Sequence, residues 1–291
     1  MDLDNILGLW LAVPRASVYS VAITPDGRAV VSGGADRTVL VWELHTAKQL
    51  HILRGHSDWV YSVAISPDSQ TIVSGSLDKT IKIWNLWSGK EIRTLKGHLN
   101  TVCSVAISPD GQTIVSGSKD TTIKVWNLNS GEELRTLTSH SDWVYAVAIT
   151  PNGQTIVSGC ADATIGVGER RKLTGHAASV TSIAISPDGQ KIVSGSIDET
   201  IRIWDLNTGQ ELHAIAAHSG GVTSVAISPD GRKIVSGGND KTIKVWDLKT
   251  GKNVHSFIDY FEAILSVAIS FDGHLIAGGS RNNVIKFWRM P

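Results

Sequence analysis

Serine, histidine and aspartate recur together along this 291-residue chain, and these residue types can bind a metal ion or activate a nucleophile. Histidine and carboxylate side chains are common zinc ligands, and a Ser-His-Asp set can turn its serine into a nucleophile. Five of the ten histidines, however, occur once in each of five repeated units, which places them too far apart to share one ion. The recurring serines also lack the Gly-x-Ser-x-Gly motif of a nucleophile elbow. We therefore expect no catalytic residue, no metal and no cofactor, and predict that the chain is not an enzyme.

The two cysteines and the glycines form no redox or phosphate-binding motif. Cys103 and Cys160 lie in different repeats, without Cys-x-x-Cys spacing or an adjacent basic residue, which favours small core or rim residues over reactive thiols. The sequence contains neither Gly-x-x-x-x-Gly-Lys-Ser/Thr nor a Gly-x-Gly-x-x-Gly that opens a helix. Nucleotide binding is therefore not expected.

Composition and charge narrow the class of protein further. Hydrophobic residues make up 42% of the chain, which suits a globular core, and 27 basic residues balance 27 acidic ones. A balanced charge argues against broad binding to nucleic acid or to anionic membranes. Two cysteines and the absence of an Asn-x-Ser/Thr sequon favour a reducing, cytoplasmic location. The longest apolar stretch, Ile6 to Val13, is too short to span a bilayer.

A repeated tryptophan indicates the architecture. Each unit reads as four short strands: a valine-rich segment, Pro-Asp-Gly, Ile-Val-Ser-Gly-Ser, Asp-x-Thr-Ile-x-x-Trp, and a short segment after a Thr/Ser-Gly turn. Such units, stacked around a central axis, predict an all-β, seven-bladed β-propeller of four-stranded antiparallel blades, forming a single domain over residues 1–291. Most of the tryptophans that mark the third strands lie 42 residues apart: Trp42, Trp84, Trp126, Trp204, Trp246 and Trp288.

Several positions recur together in a way that resembles the WD-repeat (WD-40) propeller family over practically the whole chain. The Gly-His pair of that family appears as Gly55-His56, Gly97-His98 and Gly175-His176, and its Trp-Asp ending appears as Trp204-Asp205 and Trp246-Asp247. The regularity of the units is similar to that of WD-repeat proteins of cyanobacteria and related bacteria, where such domains often accompany signalling modules. No kinase motif occurs in this chain.

The resemblance implies a buried relay within each blade, in which the aspartate holds the histidine, the histidine holds a strand serine, and the serine meets the tryptophan indole. Every buried polar group would then have a partner. Four sets are complete in the sequence: His56, Ser74, Asp78 and Trp84 in blade two; His98, Ser116, Asp120 and Trp126 in blade three; His176, Ser194, Asp198 and Trp204 in blade five; and His218, Ser236, Asp240 and Trp246 in blade six.

The first and last blades depart from the pattern. The histidine position of blade one is Pro14, and blade seven has Tyr260, Gly278 and Asn282 at the histidine, serine and aspartate positions. Because the last blade is one strand short, we predict that residues 1–13 supply its outer strand, which would remove two open sheet edges.

Blade four is shortened around residues 166–172. Relative to blade three, six residues are missing around the turn between the third and fourth strands, and the tryptophan is lost. Gly168 and Glu169 could form a two-residue turn with glycine first. His140, Ser158 and Asp162 would keep the rest of the relay, and the lost apolar volume predicts a cost of about a few kcal/mol unless neighbours fill it.

Surface aromatic residues are the clearest indication of function. In the WD-repeat family the face formed by the Gly-His loops and the turns before the aspartates usually binds partners, and matching its positions to this chain implies a cluster of aromatic residues on blades one, two and four. Tryptophan and tyrosine are frequent interface anchors. The predicted partner-binding residues are Trp59, Tyr61, Leu77, Tyr19, Trp143, Tyr145 and Arg281, with smaller contributions from positions such as Lys119 in blade three.

The expected function is a monomeric, non-catalytic scaffold that binds a protein or peptide, with neither nucleic acid nor membrane as partner. One alternative is that the aromatics only wedge their loops, because blades two and four share His-Ser-Asp-Trp-Val-Tyr and could be copies of one unit. Another is a small-molecule binder or enzyme that uses the central channel, which the first strands line with Ser62, Ser104, Ser182 and Ser224. A third is a self-associating structural propeller.

Overall fold

The computed structural model describes residues 10–12, 16–258 and 262–291, and within them the chain forms seven sheets of four antiparallel strands and no α-helix. The all-β, seven-bladed fold predicted from the sequence is thus confirmed. Blade one comprises β2 (Val18–Ile23), β3 (Ala29–Gly34), β4 (Thr38–Glu43) and β5 (Gln49–Arg54); blade two β6 (Val60–Ile65), β7 (Thr71–Ser76), β8 (Thr80–Asn85) and β9 (Glu91–Lys96); blade three β10 (Val102–Ile107), β11 (Thr113–Ser118), β12 (Ile123–Asn127) and β13 (Glu133–Leu137). Blade four comprises β14 (Val144–Ile149), β15 (Ile156–Cys160), β16 (Ile165–Val167) and β17 (Arg171–Leu173); blade five β18 (Val180–Ile185), β19 (Lys191–Ser196), β20 (Thr200–Asp205) and β21 (Glu211–Ala216); blade six β22 (Val222–Ile227), β23 (Lys233–Gly238), β24 (Ile243–Asp247) and β25 (Asn253–Phe257).

Blade seven combines strands from both ends of the chain. Its order is β1 (Trp10–Ala12), β28 (Val284–Arg289), β27 (Leu275–Ser280) and β26 (Ile264–Ile269). The backbone of β1 pairs antiparallel with β28, with Leu11 opposite Ile285. The rest of the predicted closing segment, together with Pro14 and Tyr260, lies outside the described residues.

The core lies between neighbouring blades, which explains why the second strand of each blade is apolar or small on both faces. In blade two, Val73 and Ile83 pack against Val102 and Trp126 of blade three. The sheets approach so closely at Gly75 that an added Cβ would lie 2.7 Å from Val102 Cγ1. A glycine at this position in the second strand is therefore a packing requirement of the propeller.

A ring of hydrogen bonds joins the first strands of successive blades around the central axis. In each case a serine Oγ accepts a backbone N–H from the next blade; Ser62 Oγ, for example, lies 3.1 Å from Val105 N. Blade four has Ala146 at the serine position, so this bond to blade five cannot form. Six serines take part: Ser20, Ser62, Ser104, Ser182, Ser224 and Ser266.

Blade four keeps four strands, although β16 and β17 have three residues each. The expected two-residue turn is wrong: Val167 pairs with Arg171, which leaves a loop of three residues, 168–170. Gly168 begins that loop at a φ of 62°, a conformation that favours glycine. Its N–H donates to Ile156 O at 2.8 Å, so Gly168 occupies the position that a tryptophan holds in other blades.

The missing indole affects the contact between blades three and four. Among the described residues, the buried cluster at this contact contains no tryptophan; it includes Val125, Leu137, Val147 and Ile156. The other side of blade four is packed normally, because Ile165 and Leu173 lie in one cluster with Trp204 of blade five. The shortened hairpin is therefore anchored mainly towards blade five.

Candidate interaction surface

Within blade two, the four relay residues form one buried chain of hydrogen bonds. His56 Nδ1 lies 2.8 Å from Asp78 Oδ2, and His56 Nε2 lies 2.8 Å from Ser74 Oγ. The indole N–H of Trp84 donates to the same Ser74 oxygen at 2.9 Å. The carboxylate fixes the proton positions, because an ionised Asp78 can only accept; Nδ1–H therefore donates to it, and Nε2 accepts from the serine hydroxyl.

Blades three, five and six contain the same arrangement, with the corresponding distances between 2.7 and 2.9 Å. Burial lowers the pKa of His98, His176 and His218, because desolvation disfavours the charged imidazole more than the neighbouring aspartates favour it. Burial opposes ionisation of Asp120 as well, but hydrogen bonds from Thr122, Leu99 and His98 lower its pKa to about 2.

The remaining blades contain incomplete relays. In blade one, Trp42 Nε1 is buried without a hydrogen-bond partner among the described residues. Blade seven places Gly278 and Asn282 at the serine and aspartate positions. In blade four, His140 Nε2 lies 2.7 Å from Ser158 Oγ, but no indole is present to complete the chain.

The relay geometry is suited to holding loops in place. In each complete relay the serine already contacts an indole and an imidazole, so its oxygen is buried and not placed to attack a substrate. Burial raises the pKa of both Cys103 and Cys160 to about 12, so both thiols carry their proton at neutral pH. The relays hold in place the loop that follows each histidine and the turn that contains each aspartate.

At the end of the propeller where these loops lie, a β-bulge changes the direction of one residue in each first strand. In blade two the bulge falls between Val60 and Ser62, and Tyr61 is the extra residue. A bulge of this kind interrupts the alternation of side chains along the strand and turns one of them in a new direction. The bulge positions around the ring are Tyr19, Tyr61, Cys103, Tyr145, Thr181, Thr223 and Leu265.

Three of the predicted partner-binding aromatics form one cluster across blades one and two. The ring centroids of Tyr19 and Tyr61 lie 4.9 Å apart, and those of Tyr19 and Trp59 lie 5.7 Å apart. The Trp59 side chain remains 38% exposed despite these contacts. Burial raises the pKa of Tyr61 to about 12, so its hydroxyl stays protonated and can donate a hydrogen bond.

The aromatics of blade four form a second pair, and a lysine of blade three connects the two groups. Trp143 and Tyr145 are 6.0 Å apart in an edge arrangement, and Trp143 is 41% exposed. Lys119 Nζ lies 4.4 Å from the Trp143 ring and 5.9 Å from the Tyr61 ring, within cation–π range of both. We call this set the aromatic surface: Tyr19, Trp59, Tyr61, Lys119, Trp143 and Tyr145.

Two further predicted residues flank the aromatic surface without joining its ring contacts. Leu77 is half-buried in the turn beside Trp59, and its N–H donates to Trp59 O at 2.9 Å. Arg281 of blade seven is exposed, and its carbonyl accepts from Ser17 Oγ at 3.1 Å. Its positive charge acts on Tyr19, whose pKa is nevertheless raised because burial is the larger effect.

Sequence reasoning underestimated Lys119, which was expected to contribute less than the aromatics. The sequence around a lysine in a turn does not indicate that its side chain will lie over aromatic rings of two other blades. The bulges were also not predicted, because their residues differ from blade to blade and only the pairing register reveals them.

The chain belongs to the family described as "WD domain, G-beta repeat", which matches residues 11–43, 47–85, 89–127, 131–167, 168–205, 209–247 and 251–289. Propellers of this family commonly act as protein-interaction scaffolds. Over 50 residues the chain is 38% identical to "Probable serine/threonine-protein kinase PkwA" of Thermomonospora curvata, a match covering 17% of this chain and 7% of that protein. Across residues 10–12, 16–258 and 262–291, no helix has the length and apolar character needed to cross a membrane.

Proposed function

We propose that this propeller is a non-catalytic interaction platform that binds a peptide or protein through the aromatic surface, with Leu77 and Arg281 at its margins. The observation that carries the proposal is the continuity of the surface: rings from blades one, two and four, joined by Lys119, lie on one face with both tryptophans partly exposed. Rigid aromatic anchors supply large contact area at low entropic cost.

The charges around the rings favour a partner of definite chemistry. Lys119 lies within the aromatic surface and Arg281 at its blade-one margin, while the carboxylates of Asp58 and Asp142 precede Trp59 and Trp143, so both signs of charge accompany apolar contact area. A peptide that presents apolar or aromatic side chains beside both a carboxylate and a basic group would complement these features. The relays beneath the loops hold the surface in place before the partner arrives, which reduces the entropy lost on binding.

We further propose that the platform works in the cytoplasm, as a single domain over residues 1–291 and as a monomer, in a bacterial signalling context. The match over 50 residues to a Thermomonospora curvata protein named as a probable serine/threonine-protein kinase supports that context.

The test is affinity capture from host lysate with the intact protein, a Trp59→Ala/Tyr61→Ala/Trp143→Ala variant, and a control. Phe271→Ala is the matched control, because Phe271 is 72% exposed and follows its first strand, at the end opposite the aromatic surface. Unchanged melting curves would show that both variants fold. We expect a partner that the intact protein and the control retain and the triple variant loses; identical capture by all three proteins would contradict the proposal.

A small molecule in the central channel is the second candidate. A cavity of about 690 Å³ at the Phe271 end, lined also by Pro25, Pro67 and Pro109, favours it. Against it, the channel serines already accept backbone N–H groups from the next blade. A ligand that raises the melting temperature of the intact protein, but not of a variant altered at Phe271, would support this candidate. A molecular mass in solution that rises with protein concentration would instead favour a self-associating propeller.

A further inference from the structure

Blade four contains a group of potential metal ligands that has no counterpart among the described residues of the other blades. His140 Nδ1, Cys160 Sγ and an Asp162 carboxylate oxygen all lie within 4.8 Å of one another. The His140 side chain is fully buried, and its Nδ1 has no hydrogen-bond partner among the described residues. A buried, unpartnered imidazole nitrogen directed at a thiol and a carboxylate requires an explanation.

The wider spacing in blade four allows the other nitrogen of His140 to carry the proton. In a complete relay, the ionised aspartate lies 2.8 Å from Nδ1 and can only accept a hydrogen bond, so Nδ1 is protonated. In blade four, Ser158 can accept a hydrogen bond from Nε2–H, since its Oγ lies 2.7 Å from that nitrogen. Nδ1 then presents a lone pair, and its distance to Asp162 Oδ2 is 3.6 Å. This tautomer is the one that can bind a metal through Nδ1.

Hydrogen bonds within blade four hold the other two ligands, Cys160 and Asp162, in place. Cys160 occupies the position of Ser76, Ser118 and Ser196, and its Sγ lies 3.4 Å from Asp142 O and 3.4 Å from Asp162 N. Asp162 Oδ1 accepts from Thr164 N and Thr164 Oγ1 at 3.0 and 2.6 Å. The second carboxylate oxygen, Oδ2, therefore faces the histidine.

We propose that His140, Cys160 and Asp162 form a binding site for a divalent transition metal of the zinc type, with water as the fourth ligand. A thiolate, an imidazole and a carboxylate form a donor set that zinc accepts in four-coordinate sites. Bond lengths of about 2.0 to 2.3 Å place ligand atoms roughly 3.3 to 3.7 Å apart, so a separation of 4.8 Å must contract by about 1.1 to 1.5 Å. On binding, the sulfur–metal bond replaces the sulfur–hydrogen bond, and the proton passes to solvent.

Such a metal would join three segments of the blade that lacks its tryptophan. His140 precedes β14, Cys160 ends β15, and Asp162 lies in the turn that leads to β16. Lys172 competes for the site, since its Nζ lies 3.4 Å from Asp162 Oδ2, and Ser141 Oγ donates to the same oxygen at 3.3 Å.

The experiment is titration of the metal-free full-length protein with Co²⁺, followed by the thiolate-to-metal charge-transfer absorbance, with Zn²⁺ displacement as the second reading. We expect one equivalent to bind the intact protein and Cys103→Ser, and no charge-transfer band in Cys160→Ser. Cys160→Ser introduces the residue found in four other blades, so it should fold. A band that persists in Cys160→Ser, disappears in Cys103→Ser, or is absent from the intact protein would overturn the proposal.

Two further variants test the proton argument and the role of Asp162. Ser118→Cys places a thiol beside His98 and Asp120 in blade three, where Nδ1–H already donates to the carboxylate at 2.8 Å, and we expect no Co²⁺ binding there. Equal binding by the native site and this second site would refute the tautomer argument. Lys172→Met removes the competing cation and should tighten Co²⁺ binding several-fold; unchanged or weaker binding would show that Asp162 is not a ligand.

Discussion

At the scale of single residues, the relay serine has different partners in different blades. Ser116 contacts both His98 and Trp126, whereas Ser158 contacts only His140 because blade four has no indole. The same substitution should therefore have different consequences in the two blades, since an unsatisfied buried group costs about 1 to 3 kcal/mol.

We expect Ser116→Ala to lower the free energy of unfolding by about 3 kcal/mol, and Ser158→Ala by about 1 kcal/mol. Chemical denaturation of the two variants beside the intact protein measures both effects. Equal losses would indicate that the indole hydrogen bond adds nothing to the relay.

The buried histidines make stability depend on pH in a definite direction. The pKa values of His98, His176 and His218 are lowered in the folded state, so the unfolded chain binds more protons as the pH falls below about 6.5. Stability should fall between about pH 7 and pH 5. It should fall again below about pH 4, where aspartates of the unfolded chain bind protons that the folded Asp120 and Asp198, with pKa values of about 2, still exclude.

Unfolding free energies measured across this range test the prediction. His218→Gln removes one of the titrating groups and should give a shallower decline between about pH 7 and pH 5 than the intact protein. A flat profile in the intact protein would contradict the buried, neutral state of these histidines.

At the scale of strands and blades, blade four is altered at three positions. Gly168 replaces the tryptophan, and Ser139 replaces the glycine that precedes the relay histidine in blades two, three and five. In blade two a Cβ at Gly55 would lie 2.9 Å from the Trp84 ring, whereas blade six accommodates Ala217 at this position in one cluster with Trp246. The third change, Ala146, interrupts the serine ring between blades four and five.

Restoring the interrupted ring should stabilise the protein. Ala146→Ser supplies the missing acceptor for blade five and should raise the free energy of unfolding by about 1 kcal/mol, while Ser104→Ala, which removes the bond to Val147, should lower it by a similar amount. Thermal and chemical denaturation of the two variants beside the intact protein measure both changes in stability. A loss of stability in Ala146→Ser would show that blade five cannot use the added hydroxyl.

At the scale of the whole molecule, the propeller joins its two ends in blade seven, where β1 pairs with β28. Deleting residues 1–13 removes β1 and leaves that edge of β28 without a partner strand. The deletion should lower the melting temperature markedly, because the pairing that joins the two ends of the chain is lost. An unchanged melt would show that this pairing does not contribute to stability.

The repeat predicted the number of blades and strands because each unit cannot bury its apolar faces alone and must stack on its neighbours. The aromatic residues of the candidate surface were also found from the sequence, since Trp59 and Trp143 occupy equivalent positions in similar loops. The bulge at Tyr61 and the place of Lys119 between two blades were not predictable, because both depend on pairing register and on contacts between distant segments. The three-residue loop at 168–170 was missed for the same reason.

The central claim, that partners bind on the aromatic surface, is tested most directly by site-specific photo-crosslinking in host cells. A photoreactive residue at Leu77 reports on that face, and the same residue at Phe271 reports on the opposite end of the blades. We predict a discrete crosslinked partner from Leu77 that disappears when Trp59 and Trp143 are replaced by alanine, with no crosslink from Phe271. Crosslinks from Phe271 alone, or from neither position, would contradict the account.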